Sequence, residues 1–214
     1  MKKVLFAISL VLLVSCSVKT NEEKARELIE PKVKANLIKP ESYEFAQMQL
    51  DSCFSDSQQN PEAIAFALKV AKLFKTYKYY VSAAESAESS MTFYAPSYRY
   101  SYQSAYFKQQ YQVHKTEMEK AKRKAADTKE NIIQLYKDNW NLIENLSSDK
   151  HEFIGWMCTF AYRAETIESM KSIGEELFYL NQDLTEITYR FTKEDVIELE
   201  SAGLDDLKYE FENE

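Results

Sequence analysis

Between residues 98 and 146 the chain holds one helical pattern without a Gly or a Pro. Tyr100, Ser104, Phe107, Tyr111, His114, Met118, Ala121, Ala125, Thr128, Ile132, Leu135, Asn139, Leu142 and Leu146 fall alternately three and four residues apart, the seam of a coiled helix. At about 1.5 Å per residue such a helix runs about 70 Å. It needs a partner, and residues 60–90 supply one. Asn60-Pro61-Glu62 reads as a cap, a proline where its missing amide costs nothing, and an acid in the first turn. Ile64, Ala67, Leu68, Ala71, Phe74, Val81 and Ala84 then keep one apolar face to about Ser90. A reversal at 89–97, containing Pro96, makes the two helices an antiparallel hairpin. The shorter helix leaves about twenty residues of the longer one uncovered, with Asp127-Thr128 and Asp138-Asn139 as alternative breaks. Asn139 either sets the register of the pair or marks where the helix leaves its partner.

Outside this hairpin the period changes. Thr20 with Glu23 forms a capping box ahead of a stripe of Ala25, Leu28, Ile29, Val33 and Leu37. Pro31 either kinks this helix or opens a second one, and Pro40 ends the pattern. Residues 42–54 alternate as a strand, with a slip around Ala46 to Met48 that a bulge would explain, and 51–60 reads as a polar loop. Residues 151–163 put Ile154, Trp156, Cys158, Phe160 and Tyr162 on one face of a strand. Residues 173–180 and 184–191 are two further strands around the turn Asn181-Gln182-Asp183. Thr192 caps a last helix ending near Gly203. The fold class expected is α+β and helix-dominated: a small antiparallel sheet with an inserted long antiparallel helical hairpin. The expected domains are a signal peptide (1–15), an α+β module (16–56 with 148–214) and the inserted hairpin (57–147).

Composition agrees with long uninterrupted elements: 214 residues contain only 3 Gly and 4 Pro, with 45% hydrophobic residues to build a core. Lys2 and Lys3 precede an apolar stretch, 4–14, too short to span a bilayer. Leu13-Val14-Ser15-Cys16 resembles the lipobox of bacterial lipoproteins. That resemblance implies cleavage before Cys16, diacylglycerol on its sulfur and acylation of its new amino group, palmitate being the expected chain. Ser17 after the cysteine resembles an outer-membrane address, so a lipid-anchored envelope protein is expected. Cys53 and Cys158 remain; they form a disulfide or serve as buried small hydrophobes. Residues 192–214 hold two Lys against nine acids, a balance of −7 that equals the net charge of the whole chain. Residues 98–137 carry nine Lys or Arg against Glu117, Glu119, Asp127 and Glu130. With those acids interleaved the basic face is a solvated helix surface, and no nucleic-acid partner is expected.

Pro40-Glu41-Ser42-Tyr43-Glu44-Phe45, followed much later by Gly155-Trp156 and Arg163-Ala164, resembles a group of small uncharacterised envelope lipoproteins. In that group a Pro-acid-Ser-aromatic step enters the first strand and a Gly-aromatic strand ends in Arg-Ala. The resemblance covers 24–55 and 151–190, omits the hairpin and implies no activity.

Signals for catalysis are scarce. Three Gly cannot build a phosphate loop, no GxSxG elbow occurs, and His114 and His151 lack metal-ligand spacing. No cofactor, metal or catalytic residue is expected. His114 on the seam reads as a structural imidazole, and the adjacent pairs Glu175-Glu176 and Asp205-Asp206 point apart. The distinctive feature is aromatic: nine of the fifteen Tyr lie between 77 and 111, with Phe93 and Phe107. Tyr94, Tyr98, Tyr100, Tyr102 and Tyr106 are the candidate binding residues for a protein, peptide or glycan. Equally, such rings would fill the splayed end of a helical pair beside Ala83, Ala84 and Ala87. The expected function is a non-enzymatic envelope lipoprotein with an aromatic contact site. The alternatives are a structural or self-associating envelope protein and, behind it, a hydrolase with a dispersed site around His151 and Arg163.

Overall fold

The computed structural model describes residues 19–55, 60–95, 105–146 and 151–201. The fold is α+β, helix-rich with a four-stranded antiparallel sheet. Contacts divide the chain into one unit of Met1–Ser52 with Ile154–Arg190 and another of Cys53–Phe153 with Phe191–Glu214.

In the first unit, helix α1 (Asn21–Ala35) opens on the expected capping box: the Thr20 hydroxyl accepts from Glu23 N–H and the Glu23 carboxylate accepts from Thr20 N–H. Pro31 lies inside α1, so one helix runs through it rather than two. The cost of the missing amide bond is offset by burial of Ala25, Ile29 and Val33 on either side of it. The helix stops at Ala35, earlier than the apolar stripe suggests, because Asn36 turns its amide back onto the Lys32 carbonyl at 2.7 Å. Pro40 instead starts a single 3-10 turn, Pro40–Ser42, ahead of strand β1 (Glu44–Phe54). Asp51 to Phe54 is therefore strand, not loop.

The remaining strands are β2 (Phe153–Glu165), β3 (Lys171–Leu180) and β4 (Ile187–Thr192), in the order β1-β2-β3-β4. Register in the central pair runs from Trp156 opposite Leu180 to Glu165 opposite Lys171. Gly155 has φ of +148°, and a Cβ there would meet the Leu180 carbonyl oxygen at 2.2 Å, so only glycine admits this close strand approach. Ala25, Ile29 and Val33 of α1 pack on Cys158, Phe160, Phe178, Leu180 and Leu184, all buried. Between β3 and β4 the Asn181 carboxamide oxygen accepts from Thr185 and Glu186 N–H. The residue with positive φ is Leu184, at 55°, rather than Asn or Asp. Burial of its side chain in the core offsets the strain. The two short motifs of the lipoprotein resemblance also meet: the Ser42 hydroxyl accepts from Glu165 N–H at 2.9 Å, immediately after Arg163-Ala164.

The second unit is built on helices α2 (Pro61–Phe93) and α3 (Ala105–Asp138), followed by the short α4 (Trp140–Leu146). Asn60 caps α2 by accepting from Glu62 N–H at 2.9 Å. Tyr94 lies against Phe107, Glu88 against Lys122, Tyr80 against Lys124 and Phe66 against Tyr136, so the pair is antiparallel. The buried positions of α3 are Ala121, Ala125, Thr128 and Ile132, all on the expected seam. Phe66, in the second turn of α2, meets Tyr136 near the end of α3, so among the described residues the anticipated twenty-residue overhang is not found. Helix α3 breaks at Asn139, whose side chain donates to the Leu135 carbonyl at 2.8 Å. It does not break at Asp127-Thr128, since Thr128 stays helical with its hydroxyl on the Lys124 carbonyl.

Helix α5 (Lys193–Ser201) is capped by Thr192, whose hydroxyl accepts from Asp195 N–H at 3.3 Å. By its contacts it groups with the second unit. Its acids meet lysines of α2: Asp195 and Glu198 on Lys72 at 3.8 and 3.9 Å, and Glu198 on Lys75 at 3.7 Å. These partly exposed pairs locate α5 on α2 but are individually weak.

Candidate functional site

The described part of the aromatic site forms around Tyr94, the residue that caps α2 with its N–H on the Ser90 carbonyl. Its ring meets Phe93 at 5.1 Å, Phe107 at 5.4 Å and Tyr106 at 6.4 Å, all edge-on, and stacks on the His114 imidazole at 5.6 Å. His114 is partly buried on the seam and its Nδ1 lies 2.9 Å from Glu117 Oε2, which fixes the ring over Tyr94. Lost hydration of the Tyr94 hydroxyl, followed by the neighbouring Tyr106, raises its pKa above the ordinary phenol value. Tyr94 is thus the packed hub, whereas Phe93 is 74% exposed, Tyr106 56% and Phe107 38%. Aromatic filling and aromatic display coexist here: one ring faces in and holds three that face out. Tyr98, Tyr100, Tyr102 and the lipidation candidate Cys16 lie outside the described residues.

Cys53 and Cys158 share no disulfide; both are buried thiols. Burial pushes the Cys158 thiol up to about 12, with Asp51 adding to it, and burial likewise raises Cys53. Neither is a thiolate nucleophile at neutral pH. The hydrolase expectation needed a cavity gathering His151, Arg163 and carboxylates. His151 is exposed and stacked on Phe54 at 4.1 Å, and Arg163 is exposed on β2. Neither is among the residues lining the three grooves that fall among the described residues. Among the described residues no three His, Cys, Asp or Glu side chains are grouped to hold a metal ion. No described helix is long and apolar enough to cross a membrane.

Two features escaped the reading by pattern. Glu176, buried on the core face of β3, accepts from Arg190 Nε and, at 2.9 Å, from Arg190 Nη2. The Tyr162 hydroxyl donates to the same carboxylate at 3.0 Å. Three strands are tied by one carboxylate, and every partner is charge-assisted or a hydroxyl. The second feature is a groove of about 450 Å³ beyond the end of α1. Its floor is Tyr162, Ala164 and Gly174, where a Cβ on Gly174 would meet the Tyr162 ring at 2.4 Å, and its walls include Leu37, Ile38, Ile167 and Met170. Ile38, Ile167, Met170 and Ile173 are all exposed at this end of the sheet. Lys39 pins the turn by donating to Glu165 at 3.0 Å and to the Ser169 hydroxyl. Apolar Ile167 and Met170 inside a turn were the available signal.

Compared with protein-family models, curated proteins and solved structures, the chain finds no match. The site therefore rests on its own geometry.

Proposed function

We propose that the chain is a non-enzymatic envelope lipoprotein, anchored through a lipid on Cys16, that contacts a protein, peptide or glycan through the aromatic end of its hairpin. The observation that carries this is the outward display of Phe93 and Tyr106 around a packed Tyr94. Rings held by a packed neighbour lose little freedom when a partner covers them, which is what aromatic contact residues supply. The lipobox-like segment 13–16 supports the anchor.

Crosslinking in intact cells tests the contact. Wild-type chain gives a discrete adduct that the pair Phe93→Ser, Tyr106→Ser loses; an adduct indifferent to both changes overturns the reading. Metabolic labelling with palmitate tests the anchor, being expected in wild type and absent in Cys16→Ala.

A further inference from the structure

The exposed large apolar side chains of the sheet unit are gathered in one place. Among its described residues they are Ile38 at 64% exposure, Ile167 at 78%, Met170 at 57% and Ile173 at 69%, and all four lie at the end of the sheet where α1 stops. Ile38 belongs to the loop after α1, Ile167 and Met170 to the turn between β2 and β3, and Ile173 to the start of β3. The loop and the turn are held as one piece. Lys39 donates to Glu165 and to the Ser169 hydroxyl, and the Thr166 N–H donates to the Met170 carbonyl at 2.9 Å. Four aliphatic side chains with no ring among them lack the rigid aromatic anchors of a protein contact. A lipid surface takes such side chains without demanding a matching shape.

Charge narrows the kind of lipid. Lys39 is paired with Glu165 and Lys171 with Glu44, leaving exposed Arg163 against exposed Glu41 and Glu168. A nearly neutral end suits zwitterionic headgroups and gains nothing from an anionic leaflet, which needs a basic cluster. The tether supplies the geometry. Residues 16–20 separate the lipid-bearing Cys16 from α1 and span at most about 17 Å, so the start of α1 stays close to the bilayer. Helix α1, with 15 residues, is about 22 Å long and exceeds that tether. With its far end in the membrane, α1 therefore leans along the surface and the unit is held at both ends of the helix. We infer that Ile38, Ile167, Met170 and Ile173 dip into a zwitterionic lipid surface as a second membrane contact. This rests on the lipid anchor of the proposed function and not on the aromatic contact.

Quenching by brominated acyl chains tests it in the lipidated full chain, reconstituted in phosphatidylcholine vesicles. An environment-sensitive fluorophore is placed through Ile167→Cys or, as a control at the β3–β4 turn of the same unit, through Asp183→Cys; Cys53 and Cys158 are buried and leave the labelling selective. Quenching is expected to be severalfold stronger for the probe at 167 than at 183, and to fall to the control level when Ile38→Ser and Met170→Ser are added while the chain stays on the vesicles. Equal quenching at 167 and 183 in a vesicle-bound chain overturns the contact and leaves the anchor standing. Retention of Cys16→Ala on the vesicles overturns the anchor instead. A probe at 167 already shielded without lipid, in a chain that sediments as a dimer, assigns the patch to a second copy and overturns the inference.

Discussion

In the sheet unit the core is made of large side chains delivered from distant parts of the sequence: Ile29 and Val33 from α1, Phe160 from β2, Phe178 and Leu180 from β3. In the hairpin unit Leu68, Val70, Phe74, Tyr77 and Ile132 are large buried members, but much of the rest of the seam is small: Ala71, Ala84, Ala87, Ala121 and Ala125. Large interlocking residues make a core whose members cannot be exchanged singly. Small ones let two helix backbones approach closely and leave the larger aromatics, Tyr79, Phe93 and Tyr106, on the outside. One unit spends its aromatic residues on cohesion, and the other displays many of them.

The largest expected effect is on the first core. Phe178→Ala should cost about 4 kcal/mol, with amides of β2 and β3 exchanging faster by the corresponding factor. A cost under about 1 kcal/mol would mean that the sheet core collapses around the cavity and is no stiffer than the hairpin. Next, Glu176→Ala should cost about 3 kcal/mol in denaturant titration, because Arg190 and Tyr162 lose their shared acceptor. Replacing all three by apolar residues should recover much of that loss. In the hairpin the damaging change is enlargement: Ala125→Leu should cost about 2 kcal/mol by forcing the helices apart, and a neutral result would show that the seam has spare room. Asn60→Ala should cost about 1 kcal/mol through loss of the α2 cap, visible as faster exchange in the first turn. The smallest effect has the opposite sign. The Tyr43 hydroxyl is buried without a hydrogen-bond partner among the described residues, and its pKa is raised to about 12 chiefly by that burial. Tyr43→Phe should therefore be neutral or stabilise by up to about 1 kcal/mol, and a measurable loss would reveal an acceptor for that hydroxyl.

Much of this fold was legible along the chain because local rules sufficed. The caps at Thr20, Asn60 and Thr192 and the seam of α3 follow from backbone hydrogen bonding and from helical periodicity, which need only near neighbours. The alternation of β2 placed Cys158, Phe160 and Tyr162 on one face in the same way. Of the candidate site, sequence identified Tyr94 and Tyr106 by their density, but not which rings face inward. On a helix that is decided by the partner.

Sequence alone thus determined the elements, their apolar faces and the antiparallel pairing of α2 with α3. Tertiary structure alone decided the rest. It kept Pro31 inside α1 because burial on both sides outweighs one missing bond, and it gave the left-handed turn position to Leu184 because the core takes its side chain. It left Cys53 and Cys158 as buried thiols, joined α5 to the hairpin through Lys72 and Lys75, and opened a groove where α1 ends short of the sheet. In each case the deciding energy comes from residues far apart in the chain, whose meeting no local pattern encodes.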